Sequence, residues 1–173
     1  LLFYAMPYVE GESLRDRLDR EHQLPVDEAV QVATAVAQAL DYAHRRGVIH
    51  RDIKPSNILM HDGQPVISDF GIALAVSTGD AGRLTETGVS LGTPHYMSPE
   101  QATGDVRVGA ATDIYALGCV LYEMLVGEPP YTGSTPQAIL GKIIMAEPVS
   151  ATGQRRSVPP NADATIRKAL EKV

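Results

Sequence analysis

Three oxygen-bearing side chains stand in two short runs of this sequence. His50-Arg51-Asp52-Ile53-Lys54-Pro55-Ser56-Asn57 supplies a carboxylate and an amide, and Asp69-Phe70-Gly71 supplies a second carboxylate. Hard oxygens of this kind suit Mg2+, which takes few protein ligands and keeps several waters. The Lys54 ammonium, two residues after Asp52, adds a compact positive charge. Taken singly, each aspartate is explained as well by a helix cap or a turn, and a lone lysine by a solvated surface. Order and spacing argue against accident. A third tripeptide, Ser98-Pro99-Glu100, follows after a long stretch rich in Gly, Ser and Thr.

The elements that would position these runs follow from periodicity. Residues 1–6 are apolar and aromatic, the pattern of a buried strand, which Pro7 ends because it cannot donate to a ladder. Residues 8–12 read as a connector. Ser13, with Asp16 three residues on, predicts a helix N-cap and an acidic first turn, the helix running to about residue 20. Pro25 predicts a second helix as its N1 residue. Val26, Ala29, Val30, Ala33, Val36, Ala37, Leu40 and Ala43 recur at steps of three and four and should form its buried face. Arg45 and Arg46 then fall in its last turn, and Gly47 caps it.

Two apolar runs, 58–60 and 65–68, flank Asp62-Gly63, a hairpin signal. Residues 73–98 have no periodicity and read as one long functional loop. Residues 112–126 are nearly apolar all round, as in a helix buried on every side, stopped by Gly127 and Pro129-Pro130. Residues 134–145 predict a further helix, 148–160 a loop, and Asn161 the cap of a last helix. The pattern is a helix-dominated domain with one small β-element at its edge.

Bulk properties remove several classes of function. A net charge of −6 lacks the basic footprint of a protein that coats nucleic acid. The single cysteine, Cys119, rules out an intrachain disulfide and fits a reducing, intracellular compartment. The five histidines (His22, His44, His50, His61 and His95) have no zinc-ligand spacing with it. The most apolar stretch, 114–126, contains Glu123 and is shorter than the roughly 20 residues of a membrane span.

Together the run from His50 to Asn57, Asp69-Phe70-Gly71 and the Ser98-Pro99-Glu100 closure resemble the catalytic lobe of eukaryotic-type Ser/Thr protein kinases. The wording of Ser98-Pro99-Glu100-Gln101-Ala102 is in the style of their bacterial members. The resemblance covers nearly the whole chain. It implies an α+β kinase fold, with 1–6 as the last strand of the small N-lobe, 7–12 as the hinge and 13–173 as a largely helical C-lobe cut before its end. It also implies transfer of the ATP γ-phosphoryl group to Ser/Thr hydroxyls of proteins, with Mg2+ or, in its place, Mn2+.

On the same resemblance Asp52 orients the substrate hydroxyl or accepts its proton. Asn57 and Asp69 hold the metal, Lys54 reaches the γ-phosphate, and Thr93 hydrogen-bonds Asp52. Met6, Pro7 and Val9 would face adenine from the hinge, with Leu59 beneath the ring. Arg51 would pair with a phosphate on the long loop, at Thr85 or Thr87, with Ser90 as a weaker site. His50 and Phe70 would share an apolar spine, Asp113 would hold the loop backbone, and Glu100 would pair with an arginine beyond the chain.

The family's Gly-rich loop, strand lysine and αC glutamate have no counterpart here, so the chain alone should have little activity and should expose its adenine-facing floor. Expected partners are ATP and protein substrates, and a dimer that phosphorylates itself in trans. Nucleic acid is not expected, nor is membrane contact by this segment; a cytoplasmic setting is expected, which leaves room for an anchor elsewhere in the parent protein. Two other readings are a pseudokinase scaffold, disfavoured by the presence of Asp52, Asn57 and Asp69, and a small-molecule kinase, disfavoured by Lys54 and the Ser-Pro-Glu closure.

Overall fold

The computed structural model describes residues 9–70, 94–105 and 108–172. Its first helix, α1 (Leu14–Glu21), begins where Ser13 and Asp16 form a capping box. The Asp16 N–H donates to Ser13 Oγ at 3.1 Å, and the Ser13 N–H donates to Asp16 Oδ2 at 3.1 Å. Leu14 and Leu18, one turn apart, are its buried residues.

The long helix α2 (Val26–His44) follows. Pro25 is its N-cap rather than its N1 residue, with extended ψ and a carbonyl that accepts the Ala29 N–H at 2.9 Å. The buried stripe is Ala29, Val32, Ala33, Val36, Leu40 and Ala43. Val30, expected inside, is 41% exposed, and Val26 and Ala37 only border the core. Rotation by about 100° per residue lets one stripe face the neighbouring helix, and Val32 rather than Val30 lies on it. Arg45 is the C-cap and Arg46 lies beyond, so neither occupies the last turn. Gly47, at φ 75°, turns the chain back.

After a 3-10 turn (Pro55–Asn57) come β2 (Ile58–His61) and β3 (Gln64–Ile67). Asp62 (φ 47°) and Gly63 (φ 73°) join them with both residues left-handed, as a two-residue hairpin requires. A third strand, β1 (Glu12–Ser13), lies antiparallel to β2, pairing Glu12 with Met60 and Ser13 with Leu59. The supposed connector therefore ends in a strand, made by a partner some 47 residues away. Gly11 permits that approach. Its φ is 139°, and a Cβ there would lie 2.1 Å from the Met60 carbonyl oxygen.

The remainder is helical: α3 (Pro99–Ala102), α4 (Ala110–Val126), α5 (Pro136–Met145), α6 (Ala151–Gln154) and α7 (Pro160–Ala169). From Thr112 to Leu125 every residue of α4 except Ile114 is buried. Left-handed Gly127 ends it and donates to the Glu123 carbonyl. Helices α2 and α7 pack on α4, and a Cβ at Gly118 would come within 2.9 Å of Ala169 Cβ. The small residue lets two helices close tightly.

Thr135 caps α5, so that helix starts a little later than the sequence predicts. Within the expected loop, α6 forms because Ser150 Oγ accepts from Gly153 N and Asp163 Oδ1 accepts from Ala151 N at 2.6 Å. Asn161 does not cap α7. Pro159 is the N-cap and Pro160 the N1 residue, whose missing N–H costs nothing there. The architecture is the expected one, helical with a small three-stranded antiparallel sheet. No helix among the described residues is long and apolar enough to cross a membrane.

Candidate active site

The segment between α2 and β2 carries the first chemical run, and one buried side chain holds it. Asp113, in the first turn of α4, has no solvent exposure. Its Oδ2 accepts from the His50 N–H at 2.9 Å and its Oδ1 from the Arg51 N–H at 2.7 Å. His44, the last residue of α2, places Nε2 2.7 Å from the same Oδ2. Three donors thus surround a carboxylate that water does not reach, as a buried charge requires. The aspartate expected to hold the loop does so, and His44 is an addition that sequence did not reveal.

Asp52 leaves this anchored backbone half exposed, at 46% of its side chain. Its Oδ2 accepts from Lys54 Nζ at 2.7 Å and from Asn57 Nδ2 at 3.1 Å. Asn57 Nδ2 also donates to the Asp52 carbonyl at 2.8 Å. Asn57 is buried, and the 3-10 turn brings it back over Asp52. Because the amide nitrogen is engaged twice on Asp52, the amide oxygen is turned away from it. Among the described residues no donor meets that oxygen.

The second run reaches the same place through the hairpin. Ile58 pairs with Ile67, so Asn57 and Ser68 flank the same end of the ladder. Ser68 N donates to the Asn57 carbonyl at 2.9 Å, and Asp69 follows directly, with Ser68 Oγ 3.3 Å from its Oδ2. His50 ties both runs together. Its Nε2 lies 2.7 Å from the Ser68 carbonyl, while its Nδ1 accepts from the Asp52 N–H at 3.2 Å. The tautomer with hydrogen on Nε2 satisfies both contacts. The fully buried His50 ring meets Phe70 edge-on, with centroids 4.6 Å apart.

Two residues of this centre are strained. Arg51 (φ 70°) and Asp69 (φ 64°) are left-handed without being glycine. Such conformations cost on the order of 1–3 kcal/mol each and persist where their surroundings over-determine them. Arg51 Nε is moreover buried with no hydrogen-bond partner among the described residues.

Of the other expected site residues, Leu59 is half-buried in β2 beside β1, and Val9 is half-buried just before Gly11. Met6, Pro7, Thr85, Thr87, Ser90 and Thr93 lie outside the described residues. Glu100 accepts from Thr112 Oγ1 at 2.5 Å, which joins α3 to α4. Burial pushes the Cys119 thiol up, which makes it core filler rather than a nucleophile.

An ion-pair network also went unread in the sequence. Glu123 is 3% exposed on α4, and its carboxylate takes Arg15 Nη2 of α1 at 2.7 Å and the Tyr96 hydroxyl at 2.5 Å. Arg15 Nη2 also donates to the Tyr96 oxygen at 2.8 Å. Burial, and then the charge of Glu123, push the Tyr96 phenol up. The visible signal was a glutamate inside an otherwise apolar helix, which demands partners.

No group of three His, Cys, Asp or Glu side chains that could hold a metal occurs among the described residues. The Asn57 and Asp69 pair is a different kind of donor set, one that suits an ion completed by waters and phosphate oxygens.

If Asp113 anchors the loop, Asp113→Asn should lower the unfolding free energy by about 3 kcal/mol or more, because an amide nitrogen would then face a backbone N–H. Chemical denaturation measures this, and an unchanged midpoint contradicts it.

Residues 2–172 match the family model described as the protein kinase domain. The serine/threonine-protein kinase PknB of Mycobacterium leprae is 39% identical over 99% of this chain and 27% of its own length. PknB of Mycobacterium tuberculosis is 41% identical over the same shares, and a probable serine/threonine-protein kinase of Clostridium perfringens is 38% identical over 98% of the chain and 24% of its own length. The chain thus spans about a quarter of the length of these relatives. A family match across nearly every residue, together with one chemical loop bound to a buried aspartate and a second joined to it through His50, leads to one conclusion: this chain belongs to the protein kinase domain family.

Proposed function

We propose that this chain carries the catalytic loop and metal-holding residues of a Ser/Thr protein kinase, which moves the ATP γ-phosphoryl group to Ser or Thr hydroxyls of proteins. The observation that carries this reading is the hydrogen-bonded cluster of Asp52, Lys54 and Asn57, with Asp69 fastened beside it through Ser68 and His50.

Each group has a chemical task. The half-exposed Asp52 carboxylate orients the incoming hydroxyl and takes its proton as the new P–O bond forms and the bond to the β-phosphate oxygen breaks. Lys54, already beside Asp52, balances charge on the transferring group. Asn57 Oδ1 and the Asp69 carboxylate would hold Mg2+, or Mn2+ in its place. That ion, when bound, neutralises phosphate charge. The adenine ring would lie against Met6, Pro7, Val9 and Leu59, and Thr93 would steady Asp52.

Residues 1–6 would then be the last small-lobe strand, 7–12 the hinge and 13–173 the large lobe. The family's Gly-rich loop and strand lysine have no counterpart among these residues, so the chain alone would transfer phosphate poorly. The setting would be cytoplasmic, and protein substrates and a second copy of the kinase would be its partners.

The orphaned Arg51 Nε supports a regulatory role for that residue. That nitrogen, without a partner among the described residues, would gain one beside a guanidinium–phosphate pair formed with Thr85 or Thr87. Phosphopeptide mapping of the active, parent kinase should find phosphate on at least one of the two. Full activity with neither modified would remove this role.

The assignment of Asp52 is tested by phosphotransfer from ATP to a Ser/Thr peptide, using the longer protein that carries this chain. Asp52→Asn should lower the rate by about a hundredfold or more, and the chain by itself should do no better. Equal rates for Asp52→Asn and wild type would defeat the assignment.

A further inference from the structure

We propose that Gln101 is a positioning residue for the Asp52 loop, its amide clamping the peptide plane that joins Arg51 to Asp52; this rests on the kinase reading above. Arg51 is left-handed at φ 70°. Its two backbone dihedrals are the angles between two successive peptide planes, so fixing both planes fixes the conformation. The first plane is held at the Arg51 N–H by Asp113 Oδ1 at 2.7 Å. The second is held on both edges. Gln101 Nε2 donates to the Arg51 carbonyl at 2.8 Å, and the Asp52 N–H of the same plane donates to His50 Nδ1 at 3.2 Å. Without Gln101, one edge of the plane that aims Asp52 would be open.

Gln101 is itself firmly placed. It is the N3 residue of α3, and its Oε1 accepts from the Ser98 N–H at 3.1 Å as half of a capping box. Ser98 is fully buried, and its Oγ lies 3.3 Å from Thr112 Oγ1, next to Asp113 in α4. The amide orientation is determined by its neighbours, since only one flip gives oxygen to an N–H and nitrogen to a carbonyl. The capping task and the positioning task therefore belong to different atoms of one side chain, so chemistry can separate them.

Gln101→Glu keeps an oxygen for Ser98 N and replaces the donor to Arg51 with an acceptor. In the longer kinase that carries this chain, kcat for peptide phosphorylation should fall about tenfold to a hundredfold, as misplacement of a reacting group does. The KM for ATP should stay at its wild-type value, while the thermal midpoint falls, because two oxygens would then face each other. Hydrogen exchange of the Arg51 and Asp52 amides should quicken about tenfold.

Gln101→Met, which keeps neither contact, should lose rate and also lower the midpoint. Should Gln101→Glu prove unstable, Gln101→Met serves for the comparison of rate and exchange at temperatures below its midpoint. Wild-type kcat together with wild-type amide exchange in Gln101→Glu would overturn the proposal and leave Gln101 as a helix cap. An Asp52→Asn control separates the two claims: full activity in that control defeats the kinase reading, while the exchange rates still decide the role of Gln101.

Discussion

Asp113 is a carboxylate with no access to water, at the start of a helix buried on nearly every side. Removing such a group from solvent costs several kcal/mol unless hydrogen bonds replace the lost hydration. Here the replacements are the backbone N–H groups of His50 and Arg51 and the His44 ring. The carboxylate and the loop are therefore mutually dependent. The loop satisfies the buried charge, and the charge holds the loop in a conformation that Arg51 would not choose. Burial of α4 by α2 and α7 keeps water out and so keeps the contact strong.

From that anchor the geometry spreads through short hydrogen-bonded steps. His50 reaches forward to the backbone of Asp52 and across to that of Ser68. The β2–β3 hairpin sets the end of one loop against the start of the other through a type of turn that admits little variation in register. Gln101 and the Arg15–Glu123–Tyr96 network tie in the segment that runs from residue 94 into α3. Strain at Arg51 and Asp69 is affordable because neighbours on several elements oppose its release.

Local chemistry was legible in the sequence. The Ser13–Asp16 capping box, the Asp62-Gly63 hairpin and the Gly127 stop each depend on a few adjacent residues, and each is present. The motif order identified the family for the same reason. What stayed hidden depends on distant partners. β1 has two residues and exists only through β2. The choice of Val32 over Val30 was made by the helix that packs on α2, and periodicity alone accommodates either. Pro25, read as an N1 residue, is the N-cap, and Asn161, read as a cap, lies inside α7, because a proline or asparagine near a helix start fits more than one position. In the site, His44 and Gln101 act across tens of residues; Gln101 stands in the run 98–102, but nothing in that run shows which backbone its amide meets.

The central proposal is that Asn57 and Asp69, carried by two loops that meet at one end of the β2–β3 ladder, share one metal ion with a nucleotide. NMR of the longer kinase with Mn2+ and a non-hydrolysable ATP analogue tests it directly, since paramagnetic broadening reports distance from the ion. The account predicts broadening that is strongest at Asn57 and Asp69 together, with Asp52 close behind and Asp113 weaker. Broadening confined to one of the two loops, or centred elsewhere in the protein, would contradict it.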